Sequence, residues 1–237
     1  MDITPDQIVM WAWGPIRVSA TLLWTWVVMA LLTAGSWVVT RTYARAREMT
    51  PGQNLLEAVV ATIDTQIREA SGQDSRPYLP FIGTLFLFIV VSNVLGVVPG
   101  VHPPTGSLST TAALAICVFV AVPVFGIRRQ GLGQYLRQYL QPSIVMLPFN
   151  VIGELSRTLA LAVRLFGNVM SGTIIAALLL GIAPLFFPVA MQAFGLVIGV
   201  IQAYIFAILA MIYIASATRV QQDASNAAHQ GGTQQHG

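Results

Sequence analysis

The 237-residue chain has few charged side chains, a single cysteine and no lysine. Charged residues make up 9% of the sequence, whereas roughly 25% is typical of soluble domains, and 55% of the residues are hydrophobic. Asp, Glu, Lys, Arg and His are all absent from Leu165 to Thr218, which is long enough for two membrane spans of about 20 residues each. This composition predicts a polytopic membrane protein without a separate large soluble domain.

The same absences exclude several kinds of functional site. One cysteine, Cys117, cannot form a disulfide framework or a multi-cysteine metal centre, and it lies in an apolar segment. No arginine cluster with interleaved aromatic residues indicates nucleic-acid binding. His102 stands alone, and the sequence has no phosphate-binding glycine loop. We therefore expect no nucleic-acid partner, no cofactor, no metal site and no enzymatic activity of the chain on its own.

Five hydrophobic segments are long enough to cross a bilayer, within one membrane domain of residues 18–217. They comprise residues 18–40, 79–99, 109–127, 143–178 and 189–217. Residues 51–77 carry apolar side chains at helical spacing among charged ones, which predicts an amphipathic cytoplasmic helix. Residues 218–237 are polar, and we expect a disordered cytoplasmic tail. The predicted fold class is an all-α polytopic membrane protein with about five transmembrane helices.

The arginines orient these segments in the membrane. Most of them lie between segments one and two or between segments three and four, at positions 41, 45, 47, 68, 76, 128, 129 and 137. The opposite loops, residues 100–109 and 180–190, carry no lysine or arginine. Because arginine-rich loops stay in the cytoplasm, residues 1–17 are expected outside and the carboxyl terminus inside.

Segment four carries a polar stripe that contains an arginine far from either end. At 100° per residue, about a third of the helix circumference collects Asn150, Glu154, Arg157, Arg164, Asn168, Ser171 and Gly172. An arginine near mid-membrane costs roughly 2.5–3.5 kcal/mol on insertion scales, so it faces protein or water. Glu154 and Arg157 are expected to pair. Arg164 has no acid within one helical turn, so we expect its counter-charge from another chain, from water or from a distant part of this chain.

Segment five adds a few polar and small residues to an apolar helix. Gln202 predicts either a hydrogen bond between helices or a position in an ion path. Gln192 and Tyr204 are its other polar residues of note. Gly195 and Gly199 form a GxxxG pair, which permits a neighbouring backbone to approach closely.

The sequence around Arg164 resembles a known family signature. The stretch LALAVRLFGNVMSG, residues 159–172, is similar to the signature of subunit a of F-type rotary ATP synthases, the stator subunit beside the c-ring. The likeness continues in family order through PFIGTLFLFIVVSNVLGVVPG, PPTGSLSTTAALAICVF and IQAYIFAILAMIYIASA, and covers most of residues 78–217. Residues 1–77 fit the family by topology.

This resemblance implies that segments four and five are long, tilted helices facing the c-ring, with half-channels that reach mid-membrane from opposite sides. Arg164 matches the essential arginine that strips the ion from the c-ring carboxylate, which couples H⁺ or Na⁺ flow to rotation. Asn168, Gln202 and Asn93 match polar positions of the ion path. The implied partners are the c-ring subunits, the peripheral-stalk b subunits and membrane lipids, in a bacterial cell inner membrane.

The sequence departs from the family pattern at positions that are usually acidic or histidine in proton-translocating relatives. The neutral residues there are Gly96, Ser107, Thr173 and Gly195. We therefore expect the outer half-channel to be a water-filled passage lined by Ser107, Ser109, Thr110, Thr173 and Gln192, suited to a sodium ion as well as a proton. Glu154, Arg157 and Ser171 complete the candidate ion path. Residues 149–172 look more like the alternative, sodium-linked bacterial branch of the family.

Two other functions would also use the polar stripe. A secondary transporter could bind an anionic substrate at Arg164, but it predicts internal repeats and paired broken helices, and we find no repeat relating segments one and two to segments four and five. A membrane scaffold could dock a partner through the stripe without any ion flux.

Overall fold

The computed structural model describes residues 9–13, 16–43, 51–72, 74–98, 101, 103–133, 135, 146–182 and 187–233. Its helices are α1 (Ala20–Tyr43), α2 (Pro51–Ser71), α3 (Leu79–Leu95), α4 (Leu108–Gln130), α5 (Met146–Ile182) and α6 (Phe187–Thr233). The predicted all-α fold class is confirmed. A short antiparallel ribbon, β1 (Val9–Trp13) with β2 (Ile16–Ser19), precedes α1 within the predicted outer segment.

Four helices are long and apolar enough to cross a membrane. Their apolar stretches are Ala20–Val38, Leu108–Arg129, Pro148–Leu179 and Ala190–Ala217. The remaining apolar helix, α3, has 17 residues, and at 1.5 Å per residue it is about 25 Å long, close to the thickness of a hydrocarbon core. Helices α5 and α6, with 37 and 47 residues, exceed the length that a perpendicular span requires.

Helix α6 lies at the centre of the bundle and contacts α2, α3, α4 and α5. Ala203, Ala207 and Ala210 on α6 are buried, and such small side chains let neighbouring helices approach closely. Phe206 and Ile214 fill the spaces beside them with no exposed surface. Helix α1 is peripheral, because much of its apolar surface, including Trp26 and Trp37, is exposed.

Two segments end differently from the prediction. Helix α2 ends at Ser71 instead of extending to residue 77, because Gly72 adopts a positive φ of 65° that stops the helix. Helix α6 continues to Thr233, so most of the tail expected to be disordered is helical. That tail contains alanine and glutamine, which favour helix, and its adjacent glycines come only at residues 231–232.

A polar cluster holds the end of α2 against the turn that follows it. The buried Ser75 hydroxyl donates to Asp64 Oδ1, and Arg68 Nε donates to Asp64 Oδ2 at 2.9 Å. The Ser75 hydrogen bond is the main reason that the pKa of Asp64 lies below its usual value, and the Arg68 charge adds to the effect. On α4, Arg129 Nη1 donates to the hydroxyl of the buried Tyr78 at 2.7 Å.

Candidate functional site

One cavity, here called the Asn168 cavity, lies between α3, α5 and α6. Its volume is about 550 Å³. The predicted site residues that line it are Asn93, Asn168, Ser171, Thr173 and Gln192. Gly96 and Gly195, two of the four neutral positions named in the sequence analysis, line it as well. Five predicted site residues from three helices therefore meet in one space.

The lining of the Asn168 cavity is neutral. Its described residues include no Asp, Glu, His, Lys, Arg, Cys or Tyr. A Cβ atom added at Gly195 or Gly172 would meet nothing within 4 Å, so these glycines leave open space. Hydroxyl and amide side chains can hydrogen-bond to water, and the cavity is roomy enough to hold several water molecules.

Asn93 joins three elements at one edge of this cavity. Its Nδ2 donates to the backbone oxygen of Gly199 on α6 at 2.9 Å. The hydroxyl of Thr105, in the 3-10 turn Pro104–Gly106, donates to Asn93 Oδ1 at 2.7 Å. A Cβ atom at Gly199 would lie 2.9 Å from Asn93 Cβ, so the close approach requires glycine. Within the predicted GxxxG pair, Gly199 permits close packing and Gly195 instead faces the cavity.

The second cavity, here called the Glu154 cavity, lies between α4, α5 and α6 and has a volume of about 420 Å³. Its charged and phenolic lining residues are Glu154, Arg157, Tyr135 and Tyr213. The Arg157 guanidinium carbon lies 5.7 Å from the centroid of the Tyr213 ring. The pairing of Glu154 with Arg157 stays a prediction. Arg157 extends towards α6 and the electron-rich face of Tyr213.

Arg164 lies on α5 between the two cavities. At 1.5 Å per residue, it is about 10 Å along the helix from Arg157 and about 6 Å from Asn168. The buried face of α5 carries Leu161 and Leu165, while the Arg164 side chain is exposed. Within the described part of the chain, Arg164 has no hydrogen bond or ion pair. Its side chain is therefore available to a partner outside the bundle.

Besides Arg164, two predicted site residues lie outside both cavity linings. Ser107 is fully buried, and its hydroxyl shares a 2.6 Å hydrogen bond with that of Ser109. Gln202 is 5% exposed, and its Nε2 has no hydrogen-bond partner among the described residues. The buried Ser92 hydroxyl on α3 is in the same situation. The sequence analysis missed Thr105, which holds Asn93 at the edge of the Asn168 cavity by a hydrogen bond. No sequence motif marks a loop hydroxyl that reaches a side chain on another helix.

Comparison with known proteins gives extensive matches. Residues 22–215 match the family model described as ATP synthase A chain. A protein of Acaryochloris marina named ATP synthase subunit a 2 is 60% identical over 222 residues, which cover 94% of this chain and 95% of the relative. ATP synthase subunit a of Nitrosospira multiformis is 56% identical over 218 residues, or 92% of this chain and 87% of the relative.

A third relative, ATP synthase subunit a 1 of Chlorobaculum parvum, is 51% identical over 226 residues, which cover 95% of this chain and the whole of the relative. The family match includes α3, α4 and α5 completely, together with Arg164, the whole lining of the Asn168 cavity and most of the lining of the Glu154 cavity. The chain therefore belongs to the family of subunit a of F-type ATP synthases, the ion-translocating and non-catalytic membrane subunit of the stator.

Proposed function

We propose that Arg164 separates two aqueous half-channels and strips the transported ion from a carboxylate of the c-ring. The observation that carries the proposal is the position of Arg164, exposed on α5 between the Asn168 and Glu154 cavities and without a partner in the described part of the chain. A charge at mid-membrane is costly unless it faces water or an opposite charge. A c-ring carboxylate supplies that charge.

The arginine distribution assigns the cavities to the two sides of the membrane. The Glu154 cavity includes Tyr135, which follows the arginine pair at residues 128 and 129, and is the cytoplasmic half-channel. The Asn168 cavity includes Val101 and Pro103, from a loop without lysine or arginine, and is the outer half-channel. The amino terminus then lies outside a bacterial inner membrane and the carboxyl terminus in the cytoplasm.

Rotation follows from the two protonation or ion-binding states of the c-ring carboxylate. An ion from the Asn168 cavity neutralises the carboxylate, which can then enter the lipid and move away from α5. After nearly a full turn the carboxylate reaches Arg164 from the other side and loses its ion to the Glu154 cavity. The charged carboxylate cannot turn back into hydrocarbon, because burying an unpaired charge there is very costly.

Electrostatic attraction by Arg164 is strong enough for this release. Two opposite unit charges 4 Å apart attract by about 4 kcal/mol at an effective dielectric constant of 20. At 1.36 kcal/mol per unit, that energy lowers the pKa of a carboxylate by about three units. The same fixed positive charge repels a cation that would pass directly from one cavity to the other.

The neutral Asn168 cavity supports passage through water and not along a relay of titratable side chains. Three of the four departures from the family pattern, Gly96, Thr173 and Gly195, lie in its lining. Asn168, Ser171 and Gln192 offer oxygen and nitrogen atoms to a hydrated ion. Such a passage accepts either a sodium ion or a proton, so the c-ring site makes the choice. We infer the peripheral-stalk b subunits as further partners from the family to which the chain belongs.

The test compares Arg164→Ala with Val163→Ala, an exposed apolar neighbour on the same helix, in the whole complex in liposomes. We expect Arg164→Ala to abolish ATP-driven ion uptake while ATP hydrolysis by the soluble sector stays measurable, and Val163→Ala to retain coupled uptake. Uptake of sodium and of protons is followed without and with a protonophore, which stops proton accumulation but not primary sodium accumulation. Coupled uptake by Arg164→Ala would overturn the proposal.

A further inference from the structure

Two cavities approach each other along the α3–α6 interface, and neither is lined by Arg164. A cavity of about 250 Å³, here called the α2 cavity, lies between α2, α3 and α6. On α6 the Asn168 cavity reaches Gly199, and the α2 cavity begins at Tyr204, five residues further on. At 1.5 Å per residue, about 7.5 Å of packed helix separates them.

The two helices that form this interface carry buried polar atoms that would attract water. Ser92 Oγ on α3 and Gln202 Nε2 on α6 are buried and have no hydrogen-bond partner among the described residues. Ser92 is one residue from Asn93, and Gln202 is one helical turn from Gly199, both in the direction of the α2 cavity. Buried groups of this kind bind water when space opens beside them. The interface therefore excludes water only while α3 and α6 stay closely packed.

Asn93 holds the two helices together where this interface borders the Asn168 cavity. Its amide donates to the Gly199 carbonyl and accepts from Thr105, so one side chain joins α3, α6 and the 3-10 turn. Thr105 is fully buried. The 3-10 turn also packs against α5, where a Cβ atom added at Gly106 would lie 3.5 Å from the Val169 side chain. The amide thus fixes the edge of the cavity relative to the helix that bears Arg164.

We propose that Asn93 is a positioning residue that seals the α3–α6 interface, so that an ion in the Asn168 cavity can leave only past Arg164. This inference rests on the proposed function of the cavity as a half-channel. In this role Asn93 prevents ions from leaking along the α3–α6 interface and does not need to contact the ion. The seal depends on the two hydrogen bonds of the amide as well as on the fit at Gly199.

Substitutions of Thr105 separate hydrogen bonding from packing. Thr105→Val keeps the shape of the side chain and removes the donor to Asn93, whereas Thr105→Ser keeps the donor and removes a methyl group. In liposomes that contain the whole complex without nucleotide, we expect Thr105→Val to speed the collapse of an imposed ion gradient about tenfold, the factor that corresponds to 1.4 kcal/mol of lost hydrogen bonding. Thr105→Ser should leak little more than the unsubstituted complex.

The glycines of α6 provide a second matched pair. Gly199→Ala places a Cβ atom 2.9 Å from Asn93 and should also raise the leak, while Gly195→Ala, one turn away, meets nothing within 4 Å and should not. Complex assembly is checked by subunit content and by ATP hydrolysis. A tight Thr105→Val complex, or a Thr105→Ser complex that leaks equally, would overturn the seal.

The outcome for Arg164 is independent of this test. A tight Thr105→Val complex together with inactive Arg164→Ala would reject the seal and keep the half-channel proposal. A leaking Thr105→Val complex together with coupled uptake by Arg164→Ala would reject the role of Arg164. It would keep the inference that Asn93 and Thr105 maintain a barrier between the Asn168 cavity and the α2 cavity.

Discussion

The Asn168 and Glu154 cavities share α5 and α6 but differ in charge. No titratable side chain is among the described residues that line the first, whereas the second contains a carboxylate, a guanidinium group and two phenols. The described lining of the first cavity offers an ion dipoles and space for water. The second can attract or repel an ion by a fixed charge. The comparison teaches that entry and exit in this subunit need not use the same chemistry.

The largest effect should come from giving the neutral cavity a positive charge. A side chain added at Gly195 begins in open space, since a Cβ atom there meets nothing within 4 Å. Gly195→Arg is therefore the charged variant, and Gly195→Gln is its neutral control. Cation repulsion close to the new charge costs about 1–4 kcal/mol at 4 Å, depending on the dielectric constant. We expect ATP-driven ion uptake at least about tenfold slower for Gly195→Arg than for Gly195→Gln. Equal rates for the two variants would exclude the Asn168 cavity from the ion path.

The sequence could predict most of the neutral cavity, because helical periodicity fixes which residues share a face. Asn168 and Ser171 fall on the same stripe of α5 by their spacing. Five apolar segments and the long final helices are similarly encoded in composition and length. The packing partners of this stripe, including Asn93 and Gln192, were found through family resemblance and not through periodicity.

The contacts that sequence could not predict depend on tertiary geometry. Arg157 and Glu154 have the right spacing to pair, while the Tyr213 ring that Arg157 lies over is 56 residues away in the chain. Ser107 was assigned to the channel, whereas the neighbouring Thr105 is the hydroxyl that reaches Asn93. Both hydroxyls are buried, and tertiary geometry determines which of them reaches Asn93.

A smaller effect is expected from removing the negative charge of the Glu154 cavity. Clefts lined by one sign of charge raise the local concentration of the opposite ion and speed its passage by tenfold or more. The nearby Arg157 offsets part of this attraction, so we expect Glu154→Gln to slow coupled ion uptake about threefold. Ser216→Ala, which changes the same cavity lining without changing its charge, is the control. An unchanged rate in Glu154→Gln would show that the two cavities work alike despite their different charges.

The smallest effect on ion uptake is expected from substitution of Asp64, which lies outside both cavities. This substitution tests whether pH acts on the fold or on the ion path. Because the Ser75 hydrogen bond lowers the pKa of Asp64 in the folded protein, its carboxylate stabilises the end of α2 above the unfolded value of 3.8. That contribution is lost as pH falls through the lower, folded pKa.

We expect hydrogen exchange in α2 to rise in that acidic range, and Asp64→Asn to remove this pH dependence while changing coupled uptake little at neutral pH. The Arg68–Asp64 ion pair is exposed, so the change in stability should be small. Since Asp64 stays ionised near neutrality, it adds no pH dependence to ion uptake there. A neutral-pH transport defect in Asp64→Asn would contradict this separation.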